Sequence, residues 1–327
     1  MVKIAFVGFR HPHINTLYNF AKENPRVEIV AAYEADEAAR LAATEVLGVE
    51  FTHDSLDALL KEDIDVVAIG DYYGARGQEI IAALKAGKHV YSDKPLCTSL
   101  EELDEICRLQ KETGKLVGCM LDMRYLSWVR PMKKFFDEGK LGDIHAISFG
   151  GQHPLMYGKR ASWYFEDGCH GGTVNDIAIH GIDLVEYFTG KKIEKIDCVK
   201  SWNAFATEVP NFDDCAQVMA TLTGGTGLMV DVSYAAPTSC GYVSPYYWRF
   251  TFWGTKGVLE CNYNSEDVRL WLEGNEGEVL LEKDTDPITN CLDVFLNELE
   301  GKPVEIDCDW TLRVCREVLE LQAAAKR

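Results

Sequence analysis

The sequence lacks several features that would assign it to a particular class of protein. No apolar run is long enough to cross a bilayer, and the first apolar stretch ends at Gly8, so we expect neither a membrane anchor nor a signal peptide. Basic residues are scarce: 33 Lys and Arg stand against 52 Asp and Glu, for a net charge of −19. Because phosphate groups would be repelled, we expect no nucleic acid and no anionic membrane as partner.

Disulfide and metal-binding cysteine patterns are also missing. The eleven cysteines are odd in number and include no C-x-x-C pair, which favours reduced thiols in a cytoplasmic protein. There are no internal repeats. A chain of 327 residues that is 47% hydrophobic and 26% charged can bury a large core, and two domains are expected.

Helical and strand patterns alternate through residues 1–120. This alternation predicts a Rossmann-type α/β fold, a doubly wound parallel sheet covered by helices on both faces, and therefore a dinucleotide-binding domain. The predicted strands are Lys3–Val7, Val27–Tyr33, Asp65–Ile69, His89–Ser92 and Leu116–Met120, and the predicted helices include Gln78–Ala86 and Leu100–Thr113.

The pattern changes in residues 121–327. Helices at Val129–Glu138 and Asn175–Thr189 are followed by strands with polar turns, and Ile288–Leu299 and Thr311–Ala324 are predicted closing helices. This predicts an α+β substrate domain with a large, mostly antiparallel, open-faced sheet. The predicted strands are Lys195–Trp202, Cys215–Thr223, Thr226–Tyr234, Tyr247–Trp253, Gly257–Asn262, Val268–Leu272 and Glu278–Leu281.

The turn after the first strand keeps one glycine of the G-x-G-x-x-G pattern. It reads Gly8-Phe9-Arg10-His11-Pro12-His13, with Arg10 and His13 where glycines are expected. In a dinucleotide-binding unit, backbone N–H groups of this turn hold a pyrophosphate, and an acid at the tip of the second strand, here Glu34, binds the ribose. Glu34 favours NAD over NADP, although Arg40 can soften the preference. The alternative is an ordinary α/β turn with a solvated acid.

Two further segments carry candidate chemistry. Asp93-Lys94-Pro95 follows a predicted strand, where a lysine can reach a substrate oxygen; a solvated lysine in a turn is the alternative. Gly171-Gly172 opens an apolar helix that carries Asp176 and His180 four residues apart, on one face. An imidazole beside a carboxylate can exchange a proton near neutral pH. The alternative is a pair that only caps, pairs or packs.

A zinc site deserves consideration in the same region. Cys169, His170, Asp176 and His180 lie within twelve residues, and such ligands at this density can hold zinc. Their spacing matches no known ligand pattern, so the expectation is that no metal is bound.

These segments, in this order, resemble the oxidoreductase family that includes glucose–fructose oxidoreductase and inositol dehydrogenase (Gfo/Idh/MocA). The family carries E-K-P where this chain has Asp93-Lys94-Pro95, and its G-G-x-x-x-D-x-x-x-H motif is matched in full from Gly171 to His180. Similarity extends through residues 138–144 and 254–260 and through the closing helix. The family's threonine–proline loop after the third strand is replaced here by residues 70–76.

The resemblance implies a nicotinamide-dependent dehydrogenase of a sugar, inositol or related polyol, with NAD (or NADP) bound between two domains and a homodimer or homotetramer paired through the open sheet face. It implies that His180 is the general base, that Asp176 binds a second hydroxyl or tunes the imidazole, and that Lys94 positions the reacting oxygen. Expected cofactor contacts are Gly8, Phe9, Arg10, His13, Glu34, Asp71, Tyr73, Arg76, Asp93 and Lys94. Expected substrate contacts are Arg124, His153, Trp163 and Asn175.

Other functions remain open from the sequence. Some relatives only bind a cofactor or ligand and regulate a partner, and a minority are hydrolases or lyases that use NAD through transient oxidation. Aromatic residues near 163–165 and 242–248 suit stacking on a sugar, but core or subunit contacts explain them equally well.

Overall fold

The computed structural model describes residues 1–265, 267–283 and 289–325. The chain folds into two compact units: the first comprises residues 1–121, 166–171 and 289–316, and the second comprises the other described residues. Among these residues no helix is both long and apolar enough to span a membrane.

The helices and strands are labelled in chain order. They are β1 Val2–Val7, α1 His13–Glu23, β2 Val27–Tyr33, α2 Glu37–Leu47, α3 Leu56–Leu59, β3 Val66–Ile69, α4 Tyr73–Lys85, β4 His89–Ser92, α5 Leu100–Thr113, β5 Val117–Cys119, α6 Val129–Asp137, β6 Ile144–Pro154, α7 Ile179–Thr189, β7 Ile193–Trp202, β8 Cys215–Leu222, β9 Thr226–Ala236, β10 Arg249–Gly254, β11 Gly257–Asn262, β12 Arg269–Leu272, β13 Val279–Leu280, α8 Cys291–Leu299 and α9 Cys308–Ala324.

The first unit contains a parallel sheet in the order β2-β1-β3-β4-β5. Its strands are short apolar runs buried almost throughout, such as Val66–Ile69, because helices cover both faces. Strand β2 lies on one side of β1 and strand β3 on the other, so the strand order reverses between β1 and β3. Ligands of open α/β sheets bind at the carboxyl ends of strands at such a point. The predicted Rossmann-type fold is confirmed.

Gly8 and Asp71 lie at this point of the sheet. The N–H of Gly8 donates to the carbonyl of Tyr33 at 2.9 Å, and the N–H of Gly70 donates to the carbonyl of Val7 at 2.8 Å. Gly8 has φ +77°, and a Cβ added there would lie 2.4 Å from the backbone nitrogen of Asp71. Only glycine fits, which explains why this one glycine of the pattern is present.

The second unit is built on a sheet in the order β13-β12-β11-β10-β6-β9-β8-β7, antiparallel except for the parallel pair β6 and β9. The predicted mostly antiparallel sheet is confirmed, but β6, near its centre, was missed. Gly150-Gly151 interrupts its alternating pattern. A Cβ on Gly151 would lie 2.8 Å from the side chains of Ile177 and Trp248, so only glycine allows this close packing. Glycine is unfavourable in strands, and its presence weakens a strand prediction from sequence.

The predicted α-helix at Asn175–Thr189 is wrong in its first turn. Val174–Ala178 forms a π-helical turn, and α7 follows it. Oε1 of Gln322, in α9, accepts hydrogen bonds from the N–H groups of Val174 and Asn175 at 3.0 and 3.2 Å. A Cβ on Gly172, which has φ +100°, would lie 2.2 Å from the amide of Gln322. α-Helical spacing alone therefore does not place the side chains of this segment.

Other differences concern the ends of helices. The predicted helix at Gln78–Ala86 begins five residues earlier as α4, so Tyr73 and Arg76 are helical rather than part of a loop. The predicted start at Ile288 lies outside the described residues, and α8 begins at Cys291.

Candidate functional site

The turn between β1 and α1 is held by a histidine rather than by the missing glycines. The N–H groups of Arg10 and His11 both donate to the carbonyl of Gly70, at 3.0 and 3.2 Å. Nδ1 of His11 lies 2.5 Å from Oδ2 of Asp93, and both side chains are buried. This contact joins the turn after β1 to the end of β4, and His11 was not among the residues expected from the sequence.

Protonation of this pair follows from burial and from Arg76. Burial lowers the pKa of His11 to about 3, so its imidazole is neutral and its Nδ1–H donates a hydrogen bond to the carboxylate. Burial alone would raise the pKa of Asp93, but His11 and the guanidinium of Arg76, 3.0 Å away, hold that pKa well below its usual value. Asp93 is therefore ionised.

Arg76 connects the ends of β3 and β4. Its Nε donates to the carbonyl of Asp71 at 2.8 Å, and its Nη1 donates to the carbonyls of Lys94 and Pro95 at 2.6 and 3.1 Å. The side chain is fully buried, and its guanidinium lies 4.7 Å from the ring centroid of Tyr73. These contacts fix the backbone of Lys94. A direct cofactor contact by Arg76 stays a prediction.

Glu34 is oriented by two backbone donors. Its Oε2 accepts the N–H of Phe9 at 2.5 Å and its Oε1 accepts the N–H of Asp36 at 2.7 Å. The carboxyl is only 2% exposed, and burial raises its pKa. Arg10 lies 3.7 Å from Asp36. The acid at the tip of β2 thus has a fixed place beside the turn, with its side chain tied to Phe9.

Tyr73 and Asp71 follow β3. The ring of Tyr73 lies 5.3 Å from His11 and 5.8 Å from Nζ of Lys94. Asp71 accepts the N–H of Tyr72 at 2.6 Å, and burial raises its pKa. Burial of the carboxyl, and next the charge of Asp71, raise the pKa of the neighbouring, half-buried Glu79 well above its usual value. The structure brings His11, Tyr73 and Lys94 together in the first unit.

Cys169 and His170 are structural neighbours of α4. The carbonyl of Cys169 accepts the N–H of Gly74 at 2.9 Å, and the ring of His170 lies 5.5 Å from that of Tyr73. Both residues belong to the first unit, whereas Asp176 and His180 belong to the second. Within the described residues, the one group of histidine, cysteine and acidic side chains close enough to share a metal ion is a different one, His11, His13 and Asp93.

Asp176 and His180 are buried in the second unit, at 3% and 5% exposure. The hydroxyl of Tyr234 donates to Oδ2 of Asp176. The ring of His180 lies 5.8 Å from that of Trp248. The ring of His153 lies 5.6 Å from Trp248 and 6.1 Å from Tyr234, and so connects these two rings. We call these five residues the aromatic cluster. It joins two predicted catalytic residues to His153, a predicted substrate contact.

Arg160 and Tyr164 extend the aromatic cluster. The Arg160 guanidinium lies 5.1 Å from the ring of Tyr234 and 4.5 Å from that of Tyr164, and Trp163 stacks on Tyr164 at 4.1 Å. Burial, and next the Asp176 carboxylate, raise the pKa of Tyr234 well above its usual value, so the phenol remains a proton donor at neutral pH. Trp163 therefore packs on a ring that contacts Arg160, and its direct contact with a substrate stays a prediction.

Asn175 and Arg124 are also fixed by protein partners. Asn175 is 2% exposed, and Gln322 accepts its backbone N–H. Arg124 forms a buried two-point ion pair with Asp183 of α7, with Nε 2.5 Å from Oδ2. A direct substrate contact by either residue stays a prediction. Nδ1 of His180 lies 3.9 Å from Oδ1 of Asp122, two residues before Arg124.

Four residues of these sites were missed in the sequence: His11, Arg160, Tyr234 and Gln322. Tyr234 had a signal, because the alternation in β9 places it on the buried face with Val230 and Val232. Arg160 and Gln322 gave none, since their contacts depend on segments distant in sequence.

The chain matches two family descriptions over most of its length. Residues 2–120 match an oxidoreductase family with an NAD-binding Rossmann fold. Residues 129–260 match the GFO/IDH/MocA C-terminal domain. The chain belongs to the GFO/IDH/MocA family, as the sequence resemblance indicated.

The chain shares low sequence identity with individual relatives. The chain is 28% identical over 219 residues to inositol 2-dehydrogenase 1 of Mycolicibacterium vanbaalenii, which covers 66% of the chain and 60% of the relative. It is 30% identical over 162 residues to D-xylose dehydrogenase of Paenarthrobacter nicotinovorans, covering 47% and 40%. The matches thus span about half the length of these relatives. Levoglucosan dehydrogenase in complex with NADH shares the fold, with TM-score 0.79 at 18% identity over 98% of this chain and 97% of that one.

Proposed function

We propose that this protein is a nicotinamide-dependent oxidoreductase that transfers hydride between NAD(P) and a hydroxyl or carbonyl carbon of a sugar, inositol or related polyol. The observation that carries the proposal is the aromatic cluster: Asp176 and His180 of the family motif are both buried, Tyr234 bonds to Asp176, Trp248 lies beside His180, and His153 lies next to both rings. Family membership and the dehydrogenase relatives support the reaction class.

The substrate class follows from the lining of the cluster. A sugar or cyclitol has apolar C–H faces, which pack on aromatic rings such as Trp248, and hydroxyl groups, which need acceptors such as Asp176. The relatives named for inositol and D-xylose support the same class.

The first unit has residues suited to NAD. The turn after Gly8 lies where the strand order reverses, and α1 begins there, so the positive end of its helix dipole would face the phosphate groups. Glu34, fixed beside the turn, would bind the ribose hydroxyls and disfavour the 2′-phosphate of NADP. Arg10 would add a charge-assisted phosphate contact. When bound, the nicotinamide supplies the acceptor or donor of hydride.

Three side chains would exchange the proton, orient the substrate and stabilise the charge on the reacting oxygen. His180 accepts the proton of the substrate hydroxyl during oxidation and returns it during reduction. Asp176, held by Tyr234, binds a second hydroxyl and orients the substrate toward the imidazole. Lys94, of the Asp-Lys-Pro segment, positions the reacting oxygen and stabilises negative charge on it. General acid–base help of this kind is worth ~10²–10⁴-fold in rate.

The open face of the second sheet is the proposed oligomer contact, in a dimer or tetramer. Met229 pairs across strands with Met219, and Trp253 lies in register with Val258, next to Trp271. The two methionines are 63% and 56% exposed and the two tryptophans 46% and 39%. Large exposed apolar side chains on one face of a sheet are typical of a protein contact.

We also keep three organisational proposals from the sequence. Residues 1–120 would form the dinucleotide-binding domain, and residues 121–327 the substrate-binding and oligomerisation domain, apart from segments 166–171 and 289–316, which belong to the first unit. The protein works in the cytoplasm; its eleven cysteines, all within the described residues, are free thiols, which suits a reducing compartment.

A substrate panel tests the proposed function. The purified protein is incubated with NAD or NADP and with aldoses, inositols, anhydro-sugars and sugar acids, and reduced cofactor is measured by its absorbance. We expect reduction with at least one polyol. Tight cofactor binding without turnover on any compound would instead indicate a regulatory protein. Cofactor that co-purifies and is never released reduced, with product formed, would indicate a hydrolase or lyase.

A further inference from the structure

Two histidines and an aspartate converge in the turn that lacks the family's glycines. His11 lies in the turn after β1, His13 is the first residue of α1, and Asp93 follows β4. Nδ1 of His11 lies 2.5 Å from Oδ2 of Asp93, and Nδ1 of His13 lies 3.3 Å from Oδ1. One nitrogen or oxygen atom of each residue lies within 4.8 Å of the corresponding atoms of the other two.

Among the residues that the structure describes, two of these atoms have no hydrogen-bond partner. Nδ1 of His13 and Oδ1 of Asp93 are both buried and face one another, but their geometry makes no hydrogen bond. Leaving a buried polar atom unsatisfied costs about 1–3 kcal/mol, more for a charged group. A cation coordinated by both atoms would remove this cost. Asp93 is fully buried, so solvent does not satisfy its Oδ1.

We propose that His11, His13 and Asp93 form a binding site for one divalent transition-metal ion, of the class of Zn²⁺ or Fe²⁺. Two imidazole nitrogens and one carboxylate oxygen suit these borderline ions, whereas Mg²⁺ and Ca²⁺ prefer shells of oxygen ligands. To bind the ion through Nδ1, His11 takes the tautomer with its proton on Nε2 and gives up its hydrogen bond to Asp93. Three protein ligands leave at least one coordination position open, as in catalytic sites rather than structural ones. The His13 side chain is 32% exposed, which gives water or a ligand access on that side.

Neighbouring positive charge limits the affinity of the site. Arg76 donates to Oδ2 of Asp93 at 3.0 Å, so Oδ1 is the oxygen left for the ion. A guanidinium on the same carboxylate weakens cation binding, and the ion should exchange during purification. Metal content as purified is therefore the wrong measurement, and a titration is the right one. The proposal is independent of hydride transfer, and its test uses no turnover.

The test is a titration of tag-free, chelator-stripped protein with Co²⁺, followed by visible absorption, and with Zn²⁺, followed by calorimetry. All proteins carry Cys198→Ser and Cys240→Ser, because these exposed thiols would bind the same ions. We expect one saturable site per chain. His13→Ala should weaken binding at least ~10-fold, since loss of even an outer-shell partner costs 10–100-fold. The matched control His145→Ala, at an exposed position of β6, should leave binding unchanged.

Two results would overturn the proposal. One is the absence of saturable binding near one equivalent. The other is binding that His13→Ala and Asp93→Asn leave unchanged, which would locate the ion elsewhere. If circular dichroism shows that His13→Ala is not folded, His13→Gln replaces it, because glutamine keeps a polar side chain of similar size.

Discussion

The hydroxyl of Tyr234 is hydrogen-bonded to Oδ2 of Asp176, and both side chains are buried in the second unit. The two residues are 58 positions apart, on β9 and on the π-helical turn. Because the phenol stays protonated, it donates to this carboxylate and fixes the orientation of Asp176. Tyr234 is therefore a positioning residue for Asp176.

Replacing the phenol of Tyr234 should lower the catalytic efficiency and leave the fold intact. Tyr234→Phe removes a hydrogen bond to a charged group, and kcat/KM should fall about 10- to 100-fold. Cofactor affinity should stay unchanged, since the loss is confined to the second unit. Steady-state kinetics on the best panel substrate, with a fluorescence titration of NAD, measure both. Tyr246→Phe, at a side chain 58% exposed, is the control. Equal kinetics for the two variants would show that Tyr234 has no positioning role.

Cofactor preference should depend on the charge of Glu34. Glu34→Gln keeps an oxygen for the N–H of Phe9, loses the acceptor for the N–H of Asp36, and removes the negative charge that would face a 2′-phosphate. We expect the ratio of kcat/KM for NADP to that for NAD to rise ~10-fold. Glu37→Gln, an exposed acid in the first turn of α2, is the matched control. A wild-type protein that already prefers NADP would contradict the assignment of Glu34.

His89 should make the fold less stable in acid. Its Nδ1 accepts the N–H of Leu116 at 3.0 Å, and burial, with help from Lys115, lowers its pKa to about 4 from 6.5. Between these values the unfolded chain binds a proton that the folded chain does not, so stability falls as the pH drops from 6.5 toward 4. Allowing for partial solvation, we expect a contribution of about 1 kcal/mol per pH unit.

Chemical denaturation at pH 6.5, 5.5 and 4.5 measures this contribution. His89→Gln should have a flatter dependence of the free energy of unfolding on pH than the wild type, whereas His145→Gln should follow the wild type. Parallel curves for wild type and His89→Gln would contradict the prediction.

The open sheet face should hold the oligomer together. A carboxylate introduced by Met229→Asp would be buried without a partner in any contact across this face, at a cost of several kcal/mol. We expect the variant to sediment as a monomer while the wild type sediments as a dimer or tetramer. Leu41→Asp, at a position 58% exposed in the first unit, controls for added charge. A monomeric wild type would remove the basis for this contact.

The sequence predicted the parts of the fold that have strong local patterns. Helix α5 was predicted to the residue, because Ser99 caps its start and Gly114 ends it in a left-handed conformation. Strand β6 was missed because Gly151, where Trp248 and Ile177 pack closely, breaks the alternation.

The candidate sites were predictable only in part. Asp176 and His180 stand in a motif, and Glu34 stands at a recognisable strand end. The π-helical turn depends on Gln322, nearly 150 residues away, and its apolar pattern does not differ from that of an α-helix. The contact of His11 with Asp93 joins two loops 82 positions apart, which no local pattern reveals.

The most direct test of the proposed function is a single turnover by His180→Asn. Enzyme in excess over the panel substrate is mixed rapidly with NAD, and the rate of reduced nicotinamide formation is compared with that of the wild type. We predict a rate lower by ~10²–10⁴-fold with NAD affinity unchanged, because the general base is lost while the first unit is intact. A rate within a few-fold of the wild type would contradict the role of His180 and, with it, the proposed chemistry.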